Sequence, residues 1–107
     1  MKVHVELAPI TIVAGDHIER LLENAGHAVM ETIEEFGDGL IPHGWFEYAD
    51  EANRWVTVSN ANNHQTTWSV LARALAAVMD FMRRHEWGST TFQIFDGVNQ
   101  VGEGQIG

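Results

Sequence analysis

The stretch from Trp55 to Trp87 constrains the fold more than any other. It reads as a strand, Arg54 to Asn60, then a polar loop, Ala61 to Gln65, then one long helix from Thr66 to Glu86. The helix contains no Gly or Pro and carries Ala at positions 72, 74, 76 and 77, so local propensity agrees with the apolar pattern. On a helical wheel Trp68, Leu71, Leu75, Val78, Met79 and Met82 share one side. Val70, Ala74, Ala77 and Phe81 widen that side beyond what covering a single sheet requires. This helix is therefore expected at the centre of the fold, touching more than one neighbour. Arg83, Arg84 and His85 complement its C-terminal dipole, and Gly88 is expected to stop it.

Before this stretch, Val3, Val5 and Leu7 alternate with Lys2, His4 and Glu6, which is the period of a strand. After Ala8-Pro9 the apolar phase moves to Ile10 and Ile12, which predicts a bulge or a break. Asp16 is placed to N-cap a helix, with Glu19 at the capping-box position. That helix is expected over 17–36, with an apolar stripe of Ile18, Leu22, Ala25, Val29, Ile33 and Phe36. Its outer face is acidic: Glu19, Glu23, Glu31, Glu34 and Glu35. Gly26 costs about 1 kcal/mol in mid-helix and suggests the close approach of a neighbour. Trp45 to Ala49 and Arg54 to Asn60 form a hairpin across Asp50 to Asn53. Thr90 to Phe95 is a further strand. Asp96-Gly97 is expected as its two-residue turn, pairing Phe95 with Val98 and Phe92 with Val101. The glycine-rich tail from Val101 reads as a short last strand.

The element order is βαββαβ with an extra C-terminal strand. It predicts an α+β fold in a single domain over 1–107: a two-layer ferredoxin-like sandwich of the split βαβ kind, both helices on one face of the sheet. That arrangement makes the first strand central, where Pro9 fits only at a bulge or past the paired segment.

Charge and composition narrow the functions. Fifteen acidic against six basic residues give a net charge of −9, which disfavours nucleic acid and anionic membrane surfaces as partners. No apolar run is long enough to span a bilayer, and the N-terminus lacks the apolar block of a signal peptide. A cytoplasmic location is expected, a secreted form with its signal removed being the alternative. There is no cysteine, hence no disulfide, thiolate or Cys-based zinc chemistry. Glu23, His27 and Glu31 lie one turn apart on a helix but read as a solvated face, so neither a metal nor a cofactor is expected. Ser59, Ser69 and Ser89 lie in no Gly-x-Ser-x-Gly context.

Two places are left as candidate sites. The first is the loop around Asn63 and His64, which leads into a helix N-terminus where free N–H groups can hold an anion. Capping of the helix by Asn63 or Thr66 accounts for the same residues. The second is the sheet face away from the helices. Alternation puts Trp45, Glu47, Trp55, Thr57, Gln93 and Phe95 there, joined by His4 and Glu6. Three large aromatics are unusual on a face meant for water. Trp45, Trp55 and Phe95 are therefore candidate interface residues for a homodimer or larger homo-oligomer. His4, Glu47, Trp55, Asn63 and His64 are candidate ligand-binding residues. The expected function is a non-enzymatic interaction or assembly protein. The alternatives are a small-molecule binder or cofactor-free enzyme of the dimeric α+β barrel type, with His/Glu acid–base chemistry, and an acidic protein inhibitor using the Glu-rich helix.

Overall fold

The computed structural model describes residues 2–107. The elements are β1 (Val3–Leu7), β2 (Thr11–Ile12), α1 (His17–Phe36), β3 (Trp45–Ala49), β4 (Trp55–Asn60), α2 (Trp68–Arg84), β5 (Gly88–Asp96) and β6 (Asn99–Ile106), with a short 3-10 turn at Pro42–Gly44. They form one antiparallel sheet, in the order β1-β5-β6-β4-β3, with both helices packed on a single face. The shortest principal extent, 20 Å, is that of two layers about 10 Å thick each. The α+β class and the side of the sheet taken by the helices agree with the pattern of the sequence.

The strand order departs from the split βαβ plan, and the glycine-rich tail is the reason. That plan places β1 in the centre of the sheet; here β1 lies at an edge and pairs only with β5. The position next to β4 and β5 is taken by β6. Its alternation puts Gly102, Gly104 and Ile106 toward the helices. At Gly104 the facing ring of Phe92 occupies the space a Cβ would need. A large aromatic on β5 thus fills the gap left by a glycine on β6, so a strand that looks weak by composition becomes central.

The edge position also removes the conflict at Pro9. β1 pairs with β5 with Leu7 opposite Phe92, whereas β2 pairs with Thr11 opposite Ser89. The register shifts by one residue across Ala8–Ile10, the bulge that the phase change predicts. A second irregularity, between Ile94 and Phe95, corrects the hairpin expectation. Asp96 pairs with Asn99, so the two turn residues are Gly97, at φ 65°, and Val98, not Asp96 and Gly97. A glycine with positive φ at the first turn position suits the twist of a hairpin. Phe95 consequently pairs with Gln100, and Phe92 with Gly104.

The helices follow their stripes, with corrections at their ends. Helix α1 buries Ile18, Leu21, Leu22, Ala25 and Val29, but Phe36 at its C-terminus is 78% exposed. Asp16 holds the N-cap position without capping; its carboxylate pairs instead with Arg20 at 2.8 Å. Its φ and ψ, −104° and 16°, are not the extended values from which a cap side chain reaches the first N–H groups. Helix α2 starts at Trp68 rather than Thr66 and ends at Arg84. Gly88 is not its stop but the first residue of β5, where a Cβ would collide with the Thr11 carbonyl across the strand pair. As the width of its apolar face requires, α2 packs against α1, β1 and β5. Val70, Leu71, Ala74, Leu75, Val78 and Met82 are buried there.

Candidate functional site: the open face of the sheet

Alternation along each strand, combined with the register, sets which side chains share the face without helices. One row across the sheet runs Glu6, Gln93, Glu103, Ser59, Trp45. The next runs Thr91, Gln105, Thr57, Glu47. His4 pairs with Phe95 at one corner, and Trp55 with Ala49 at the opposite one. The centre of the face is therefore hydroxyl, amide and carboxylate, and its aromatics lie toward the margins.

Those aromatics are exposed. Trp45 is 52% accessible and Trp55 37%, while Phe95 is half-buried because the His4 ring stacks on it at 4.9 Å with an interplanar angle of 5°. Gly107 lies against the Trp55 ring so closely that a Cβ there would overlap it. Backbone hydrogen bonds in both directions between Trp55 and Gly107 hold the chain end in place. Between the aromatic margins the face encloses a concavity of about 330 Å³, lined by Trp45, Thr57, Ser59, Gln93, Glu103 and Gln105.

His4 and Glu47 both belong to this face but stand on opposite edge strands, β1 and β3. Four strand spacings of about 4.8 Å put roughly 19 Å between them, too far for one acid–base pair within a chain. The fold does not bring them together, and neither lines the central concavity.

The loop before α2 has a different role. Asn62 and Asn63 both take left-handed backbone conformations, at φ 55° and 62°, and His64 is exposed, its N–H donating to the Ala61 carbonyl at 3.0 Å. Thr66 is buried: its N–H donates to Asn60 Oδ1 at 2.9 Å and its Oγ1 donates to the Val101 carbonyl at 2.9 Å, tying the loop to β4 and β6. Thr67, not Asn63 or Thr66, is the cap, its Oγ1 accepting from the Val70 N–H at 3.3 Å.

The other leading N–H groups of α2 are satisfied from the turn after α1. Trp68 N–H donates to the Gly39 carbonyl at 3.0 Å, and Ser69 N–H donates to Asp38 Oδ1 at 3.0 Å. Hydrogen bonds from the Ser69 hydroxyl, then from its N–H, hold the Asp38 carboxyl below its ordinary value. Asp38 thus supplies the negative charge that a helix N-terminus attracts, and Trp68, Ser69 and Val70 have no N–H left for an external anion. No group of three or more His, Asp or Glu able to hold a metal occurs among the described residues.

Several residues of the concavity were not singled out from the sequence: Ser59, Thr91, Glu103 and Gln105. The signal for the last two was present in the alternation Gly102-Glu103-Gly104-Gln105-Ile106, which marks a strand with one polar face. Comparison with protein-family models, with curated proteins and with solved structures finds no match for this chain.

Proposed function

We propose that the protein is a non-enzymatic interaction module that pairs with a second copy of itself through the open sheet face. The observation that supports this most is the exposure of Trp45 and Trp55, two large aromatics on the side of the sheet with no helices. Both helices lie on the other side of the sheet, which leaves the whole outer face for a partner. A sheet-on-sheet pair with two-fold symmetry uses the same patch on both copies.

The size of the face sets the strength. Five strands about 4.8 Å apart, five to nine residues long at about 3.3 Å per residue, present a projected area of roughly 500 Å². Even allowing for side-chain relief, this is at or below the roughly 800 Å² per partner of a standard stable interface. The pair is therefore a weak one that dissociates on dilution. Glu6, Glu47 and Glu103 on the same face oppose it at low ionic strength, so salt tightens it. Light scattering tests this: the mass exceeds the 12.0 kDa of one chain at high concentration and falls toward it in Trp45→Ser. A 12.0 kDa mass at every concentration and salt level refutes it.

A second reading rests on the concavity itself. Its hydroxyl, amide and carboxylate lining beside Trp45 suits a neutral or cationic ligand with many hydrogen-bond donors and one apolar face. Binding of such a ligand by the single chain, abolished by Gln105→Ala, would favour it over self-association.

A further inference from the structure

Helices α1 and α2 leave a groove between them on the side away from the sheet, with a volume of about 560 Å³. Its floor is Leu22 and Leu75, and its walls are small or flexible: Gly26, Ala72, Ala76, Met30 and Met79. Met30, which could have covered the gap, is 47% exposed. Gly26 is the telling residue. A mid-helix glycine is less stable than alanine by about 1 kcal/mol. Nothing inside the protein requires it, because a Cβ added at Gly26 meets no atom within 4 Å. The close approach that a glycine permits there is open to the outside. Flexible methionines beside small residues form a surface that repacks around an inserted side chain.

Charge identifies the occupant. Glu23 and Glu34 line the groove together with His27, and Glu31 is exposed on the same helix, so carboxylates outnumber the one basic group there. The span from Glu23 to Glu34 is about 16 Å, or three turns of a helix laid along it. A second copy of this chain would bring these carboxylates against their like, and the whole chain carries a charge of −9. We infer that the α1–α2 groove is a docking site for a basic amphipathic helix of another protein. The apolar side chains of that helix enter over Gly26, and its Lys or Arg residues meet Glu23 and Glu34. The inference is independent of self-association, which uses the other face of the sheet.

The test is a titration of the full chain with a designed helical peptide about 18 residues long. Its leucines follow the i, i+3, i+4, i+7 pattern and lysines flank them; a scrambled peptide of the same composition serves as the control. The designed peptide is expected to bind one to one, and the scrambled one at least about tenfold more weakly. Gly26→Leu, which fills the groove without unfolding the helix, is expected to weaken binding at least about tenfold, as is the pair Glu23→Lys and Glu34→Lys. Circular dichroism and urea unfolding show that each variant is folded. Equal binding of both peptides means that charge alone holds them and overturns the proposal. So does unchanged binding to Gly26→Leu, or no binding at all. A mass that drops in Gly26→Leu alone assigns the groove to a second copy and overturns it as well.

Discussion

Gly104→Ala is the sharpest probe of the register that makes β6 central. A methyl group at that position would overlap the Phe92 ring at Cζ, Cε1 and Cε2, and Phe92 is fully buried among α2 and the sheet. Relieving the overlap displaces this buried ring from its packed position, so overpacking here costs about 1–3 kcal/mol. Phe92→Leu removes the three ring atoms that cause the overlap, at its own cost for lost packing. In that background the added methyl meets open space. Gly104→Ala is then close to neutral, or stabilising by up to about 1 kcal/mol, because alanine has less freedom to lose from the unfolded chain. The double-mutant cycle should therefore show a coupling of about 1–4 kcal/mol. Urea unfolding measures it, provided the slope stays the same across the four proteins. Additive costs, within about 0.5 kcal/mol, would mean that Phe92 does not face Gly104 and that the pairing of β5 with β6 is wrong.

Further expectations concern the loop before α2 and the turn that carries Asp38. Thr66→Val removes the bond to the Val101 carbonyl, which keeps a second donor in the Ala61 N–H at 3.1 Å. The loss in stability is thus a modest 0.5–1.5 kcal/mol or about that, measured by urea unfolding, whereas exposed His64→Ala changes it by less than about 0.5 kcal/mol. Asp38 has a lowered carboxyl pKa, so its contribution is fully present above the ordinary value of 3.8 and is lost as pH falls through the lower folded value. Acid unfolding of Asp38→Asn should lack that part of the pH dependence. Its stability at pH 7 should fall by less than about 1 kcal/mol because the carboxylate is exposed.

Much of the fold is legible in the chain because periodicity is a local signal. The stripe Ile18, Leu22, Ala25, Val29 and the broad face of α2 need no tertiary information, nor does the alternation that puts Trp45 and Trp55 opposite the helices. The phase change at Pro9 likewise reports a bulge that the paired register contains. Strand order is not local. Nothing in Val101 to Ile106 alone says that its glycines lie under Phe92, so the tail looks peripheral although it is central. The same limit applies at α2. Asn63, Thr66 and Thr67 all suit a cap by type, and only Thr66's bond to Val101 and Asp38's approach from 31 residues away separate them. Alternation puts His4 and Glu47 on one face, and strand order separates them by the width of the sheet.

The claim that the open sheet face is a self-association surface is tested most directly by a distance between copies. The chain has no cysteine, so a single spin label can be placed at Glu6→Cys on the edge of that face, or at Arg73→Cys on α2 as a control. Two sheets packed face to face lie about 10 Å apart, so Glu6 labels on the two copies should lie within about 30 Å whichever way the pair is turned. Arg73 is exposed on α2, so a helix layer of about 10 Å and a helix radius of about 5 Å are added on each side, and its labels should lie beyond about 35 Å. A short distance at Glu6 that disappears on dilution is the predicted result. No dipolar coupling at Glu6 at concentrations where the mass exceeds that of one chain, or a shorter distance at Arg73 than at Glu6, would contradict it.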